Sequence, residues 1–218
     1  MRVRFSIGNL VATVVSVDTG RRYMLGILAA SAWNKKGQKR FQPIGGAAEL
    51  TEAGRDHAVK CWGAENIHIS KEGMFDARFE ADDTHLEDVM AFFGERNPEF
   101  SEIDPVREIR DELCKDELNG IPPVLSAEEV EEIDVEFLET KRQPFSDGPG
   151  TSDLAKEGVP SRRLFNLFEI YMPQRLINKM LASEAIRSLT AAEISTTEGG
   201  RHKGATSDGI ELADNFVW

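Results

Sequence analysis

The chain has 218 residues, a length that one hydrophobic core can still fill, and 40% hydrophobic with 29% charged residues excludes wholesale disorder. Thirty-eight acidic against 26 basic residues leave a net charge of −12, which excludes non-specific binding to DNA or to anionic lipid. No stretch approaches the roughly 20 apolar residues of a membrane helix. Met1-Arg2-Val3-Arg4 leads into an alternating segment rather than a signal peptide, so a cytoplasmic protein without membrane attachment is expected.

Charge is unevenly placed: fifteen acidic residues lie between Glu99 and Glu139, against only Arg107, Arg110 and Lys115. Cys61 and Cys114 have no second Cys or His at metal-finger spacing and read as buried or idle thiols. His57, His68, His85 and His202 are scattered and read as structural or exposed.

In chain order, Arg2 to Val17 and Arg22 to Ala30 are rich in β-branched and alternating residues and predict a β-hairpin turning at Thr19-Gly20. The polar run from Asn34 to Gln38 predicts a loop. Within it and just beyond, Lys35, Lys36, Lys39 and Arg40 make the one dense basic run, a guide for phosphates or simply a solvated hairpin tip. Trp33 and Phe41 flank it, as stacking surfaces for a base or as a core edge. Phe41-Gln42-Pro43-Ile44-Gly45-Gly46 should stop regular structure.

A helix is predicted from Thr51 to Trp62, a strand from Gly73 to Phe79, and a helix from Thr84 to Phe93 capped by Asp82 or Asp83. Asp104-Pro105 should open another, with Asp as N-cap and Pro at the first helical position, running to about Leu118. Strands follow at Ile133 to Leu138 and Leu164 to Tyr171. Between them a mobile loop is expected over about 143–160. Helices at Pro173 to Leu181 and Ala191 to Ile194 precede a Gly-rich, polar stretch from Glu198 to Asp208.

The informative segment is Arg107-Glu108-Ile109-Arg110-Asp111-Glu112-Leu113. On a helix, with Glu108 at zero, Glu112 falls near about +40° and Asp111 near about −60°, while Val106, Ile109 and Leu113 gather between roughly 100° and 160°. Three carboxylates therefore share one face and three aliphatics anchor the next. Such crowding costs a few tenths of a kcal/mol per like-charged pair in an exposed helix. A divalent cation reverses that sign, and hard oxygen donors suit Mg²⁺ or Mn²⁺. The plain alternative is a solvated acidic face.

Glu99, seven intervening residues and then Arg107-Glu108-Ile109-Arg110-Asp111-Glu112 resemble the second half of the Nudix hydrolase signature, with Asp111 in place of a glutamate. Its glycine turn usually lies just before the helix, whereas Pro43-Ile44-Gly45-Gly46 stands about sixty residues ahead of Arg107. That order resembles the SMODS-associated Nudix branch, whose Gln-Pro-x-Gly-Gly turn and Asp-x-Arg-Phe strand are matched by Gln42 to Gly46 and by Asp76-Ala77-Arg78-Phe79. The resemblance covers roughly residues 22 to 140.

The resemblance implies an α/β fold, a Nudix-type α/β/α sandwich with a mixed sheet. It implies a single domain over residues 1–218, enlarged by an insertion at about 47–100 between the Gly-Gly turn and the catalytic helix. It also implies a Mg²⁺- or Mn²⁺-dependent pyrophosphohydrolase acting on a nucleoside diphosphate linked to another group, a signalling nucleotide of bacterial antiviral defence being one candidate. In that reading Glu108, Asp111 and Glu112 are metal ligands and catalytic residues. Arg107 holds the helix by an ion pair to Glu99, Gly45 and Gly46 let the backbone approach substrate, and Arg78 binds it.

On their residues alone, Arg78, Arg21 and Arg22 read either as phosphate clamps or as partners in surface ion pairs. Glu131, Glu132 and Glu169 are unranked candidates for a further ligand or base. Two other classes stay open: a Nudix-fold nucleotide sensor that does not hydrolyse, and an interaction domain offering an acidic face to a basic partner. The expected partner is a nucleotide-type small molecule rather than DNA. A homodimer is compatible with all three readings.

Overall fold

The computed structural model describes residues 1–28, 40–70, 73–114, 122–143, 159–194, 197–198, 201–202, 204–213 and 216. Trp33, the loop from Asn34 to Gln38, Lys39, the stretch from Lys115 to Leu118 and the larger part of the 143–160 loop lie outside the described residues.

The elements in order are β1 (Arg2–Ser16), β2 (Arg22–Leu28), β3 (Arg40–Pro43), β4 (Gly45–Ala47), β5 (Glu49–Leu50), α1 (Glu52–Trp62), β6 (Phe75–Asp76) and β7 (Arg78–Asp82). A 3₁₀ turn (Asp83–His85) leads into α2 (Leu86–Gly94), and α3 (Val106–Leu113), α4 (Ala127–Val130), β8 (Asp134–Arg142) and β9 (Ser161–Met172) follow. The chain continues through α5 (Gln174–Leu181), β10 (Ile186–Leu189), α6 (Ala191–Ile194), β11 (Thr197–Glu198), β12 (Arg201–His202) and β13 (Glu211–Leu212). Two compact units result, and neither is one continuous stretch of sequence.

The first unit holds Met1–Asn9, Gly46–Asp104 and Leu138–Leu167. Here β7 runs antiparallel to the start of β1, placing Phe5 opposite Phe79, and those rings stack at 5.5 Å. Trp62, Val89 and Phe93 close over them from α1 and α2. The predicted helix at residue 51 forms because Thr51 caps it, its Oγ1 accepting from Gly54 N–H at 3.0 Å. Asp82 caps as expected, with its carboxylate accepting from Thr84 N–H at 3.0 Å, but the turn it opens is 3₁₀ before α2 begins. That N–H, the Thr84 hydroxyl and the N-terminal ammonium hold the Asp82 carboxyl well below the usual carboxylate range. The stretch between Gly46 and Asp104 thus folds as β5, α1, β6, β7 and α2.

The second unit holds Leu10–Gly45, Pro105–Phe137 and Phe168–Trp218. The predicted hairpin is present, with Val14 opposite Tyr23 and Val15 opposite Arg22, and Gly20 takes the positive φ of 67° at its turn. Strand β2 also pairs antiparallel with β3 and β10, while β13 lies parallel to β3, which makes the sheet mixed. Alternation along β2 sends Leu25 and Ile27 into one apolar cluster with α3, α4 and α5, and Met24 and Leu28 into another with α6 and Phe216. Helical residues therefore cover both faces of this sheet, the layering expected of an α/β sandwich.

Two local expectations are corrected. Phe41 to Gly46 does not stop regular structure. Pro43 ends β3 opposite Gly26, and pairing resumes in β4 at Gly45. Nor is Asp104 an N-cap: α3 starts one residue later than predicted, Pro105 stands at its cap, and no side chain caps it. The Asp104 carbonyl instead accepts from Asn9 Nδ2 at 3.2 Å.

Candidate functional site

Helix α3 presents the predicted division of faces. Ile109 and Leu113 are fully buried among Val11, Ile27 and Ile44, and that apolar anchorage fixes which way the carboxylates point. Glu112 is half-buried and held by two donors from the glycine turn: Gly45 N–H reaches Oε2 at 2.9 Å, and Gln42 Nε2 reaches Oε1 at 3.1 Å. Gly45 has φ 138°, a conformation that side-chain-bearing residues rarely adopt, so the N–H is aimed by a backbone geometry suited to glycine.

Burial pushes the Glu112 carboxyl up to about 8, and the charges of Glu108 and Asp111 add to that, while Gly45 N–H and Gln42 pull it down. Glu108 is buried at 9% exposure. Arg107 places Nη2 2.6 Å from Glu108 Oε1 and Nη1 3.5 Å from Asp111 Oδ2, so one guanidinium bridges two carboxylates of its own helix. Among the described residues no three His, Cys, Asp or Glu side chains are drawn together tightly enough to enclose a cation. The donors are nonetheless all carboxylate oxygens, the chemistry that suits Mg²⁺ or Mn²⁺, and mutual repulsion is among the causes that raise Glu112.

A family model, the SMODS-associated NUDIX domain, matches residues 2–211. The chain belongs to this family. The match reaches from β1 to β13, well beyond the motif-bearing stretch, and no curated protein and no solved structure matches the chain. Membership in a Nudix family carries with it nucleotide-linked hydrolase chemistry, generally dependent on divalent metal ions, as the coarse expectation for a SMODS-associated NUDIX domain. No helix among its described residues is long and apolar enough to cross a membrane.

Of the predicted site residues, Gly45, Arg107, Glu108, Asp111 and Glu112 belong to the second unit, and Gly45 is joined to Glu112 directly. Gly46, Arg78 and Glu99 belong to the first. There Arg78 Nε stands 3.3 Å from buried Asp76, in line with the ion-pair reading of this arginine. Glu99 donates its N–H to Asn97 Oδ1 and accepts from the Thr51 hydroxyl on its carbonyl.

The later acids separate clearly. Glu131 pairs with Arg110 and Glu132 with Arg175, both near the surface. Glu169 is buried, 2.6 Å from Arg22 Nη1, and accepts from the Tyr171 hydroxyl at 2.6 Å, so Arg22 also serves an ion pair. Cys61 is exposed, whereas half-buried Cys114 donates toward the Ser126 carbonyl and is pushed up by burial. Sequence reasoning missed Gln42 as a partner of Glu112; its place in the Gln-Pro-x-Gly-Gly turn was the available signal.

Proposed function

We propose that this SMODS-associated NUDIX domain hydrolyses a phosphoanhydride bond in a nucleoside diphosphate linked to another group, with Mg²⁺ or Mn²⁺ as cofactor. The observation that carries the reading is the Gly45–Glu112 hydrogen bond, because it ties the glycine turn to the carboxylate helix across a sequence separation of 67. Glu108, Asp111 and Glu112 would hold the ion. When bound, it neutralises diphosphate oxygens and favours attack by water.

The chain's own groups do the rest. Gln42 and Gly45 hold both Glu112 oxygens in place, the buried aliphatic face of α3 keeps the helix from turning, and a helix carboxylate accepts the proton of the attacking water. Arg107 orients Glu108 and Asp111. Gly46 and Arg78 as substrate contacts, and Glu99 as support for the helix, remain part of the proposal on the family resemblance. So do the single-domain organisation, the 47–100 insertion, a cytoplasmic setting and a signalling nucleotide of antiviral defence as substrate.

Product chromatography against a panel of nucleoside diphosphate derivatives, with Mg²⁺, with Mn²⁺ and with chelator, tests the reading. Metal-dependent cleavage of at least one compound is the expected result. A second reading, a nucleotide sensor without turnover, is favoured by Asp111 and by the Arg107 guanidinium that occupies two of the three carboxylates. Nucleotide binding with no product from any compound would select it.

A further inference from the structure

Arg40 opens β3 in the second unit, and strand alternation fixes the face it occupies. Phe41 packs with Leu189, Leu212 and Phe216 on one face of the sheet. Gln42 lies on the other: its register partner Ile27 joins the cluster of Ile109 and Leu113 from α3, and its amide reaches Glu112 Oε1 at 3.1 Å. Arg40, two residues before Gln42, shares that face and stands about 6.6 Å from it along the strand.

The Arg40 side chain is half-buried, and among the described residues its buried Nε has no hydrogen-bond partner. Elsewhere in this unit Arg22, Arg107, Arg110, Arg175 and Arg187 each stand in an ion pair, and Arg21 lies over the Tyr23 ring. Glu211 is the register partner of Arg40 in β13, but it is exposed and leaves the Arg40 Nε unpaired. A guanidinium cannot shed its proton to relieve burial, so a counter-charge has to be brought to it. Its planar fork suits paired phosphate oxygens, and partial burial strengthens such a contact.

The face that carries the α3 carboxylates thus also carries a cation not engaged by a carboxylate, since Arg107 is already bound to Glu108 and Asp111. From this placement we infer that Arg40 is a substrate-binding residue, its guanidinium taking phosphate oxygens of the diphosphate beside the carboxylates of α3. The assignment rests on the hydrolase reading above and adds to it a residue that binds the anion itself.

Arg40→Ala, Arg40→Gln and Arg40→Lys, each checked by thermal melting, are compared with the full wild-type chain, with Glu211→Gln and with Glu112→Gln. The probes are methylenediphosphonate and the α,β-methylene analogues of ADP, GDP, CDP and UDP, whose bridging carbon resists cleavage, so calorimetric titration with Mg²⁺ reads binding alone. At least one probe should bind wild type, and about tenfold or more weakly to folded Arg40→Ala or Arg40→Gln. Arg40→Lys should recover part of that affinity, because it restores the charge but not the two-pronged contact. Glu211→Gln should bind like wild type.

Wild-type affinity in every Arg40 variant that folds, a loss reproduced by Glu211→Gln, or no binding of any probe to wild type overturns the assignment. The two readings fail separately. Arg40-sensitive binding with no cleavage across the nucleoside diphosphate panel removes the hydrolase and keeps Arg40 as a phosphate contact. Metal-dependent cleavage that is lost in Glu112→Gln, with KM and kcat unmoved in the Arg40 variants, removes only the Arg40 assignment.

Discussion

Glu112 Oε2 accepts the backbone N–H of Gly45 at 2.9 Å, and the Gly45 φ of 138° that aims this N–H is one that an alanine rarely adopts. Gly45→Ala should therefore cost about 1–3 kcal/mol of stability from backbone strain. It should also weaken Mg²⁺- or Mn²⁺-dependent turnover in the fraction that remains folded. Denaturant melts together with specific activity per folded molecule check both, and unchanged values in both would show that the turn does not hold the helix.

Gln42 holds the other carboxylate oxygen at 3.1 Å. Gln42→Ala should cost about 1 kcal/mol of stability for a lost hydrogen bond to a partly buried acceptor. Kinetics should show a lower kcat, because the carboxylate loses its fixed direction. Gln42→Glu should be worse, since it sets another carboxylate against Glu112. Equal kinetics for these two variants and wild type would remove Gln42 from the site.

The raised Glu112 carboxyl has a consequence for pH. A carboxyl that titrates at about 8 in the folded chain and near 4.5 in the unfolded one keeps its proton longer when folded. Folding stability of the metal-free protein is thus highest, as far as this group is concerned, below about pH 4.5, and falls as pH rises toward 8. Acidic pairs elsewhere contribute with the opposite slope. The diagnostic is therefore the difference between wild type and Glu112→Gln: the variant should gain relative stability steadily from pH 5 to pH 8. Parallel stability curves for the two proteins would contradict it.

Asp111 is one methylene shorter than glutamate and faces the Arg107 guanidinium at 3.5 Å. If it is a ligand, Asp111→Glu should preserve or raise metal-dependent activity, and Asp111→Ala should weaken the apparent metal affinity by tenfold or more, a change of about 1.4 kcal/mol. Metal titrations of activity measure this, and an unaltered midpoint in Asp111→Ala would place Asp111 outside the metal's reach.

Elements whose signals are local were legible in the sequence. The 2–28 hairpin follows from β-branched alternation and a Thr-Gly turn, α1 from the Thr51 cap and α5 from its apolar spacing. The carboxylate face of α3 followed likewise from helical geometry. Strand pairing from Arg40 to Ala47 was not legible, because partners in β1 and β2 override the Pro and Gly signals of that stretch. Sequence spacing also could not foresee Gln42 and Gly45 meeting Glu112 across 70 and 67 residues. Each of the two compact units is assembled from three separate stretches, so no local signal marks them.

The central claim is that Glu112 serves metal-dependent hydrolysis. Its most direct test compares purified wild type with Glu112→Gln on the nucleoside diphosphate panel, product formation being followed by chromatography with Mg²⁺ or Mn²⁺ and with chelator. The account predicts a cleaved compound whose turnover disappears with chelator and falls by about a thousandfold or more in a Glu112→Gln protein that melts no lower than wild type. Turnover that survives the substitution would contradict it.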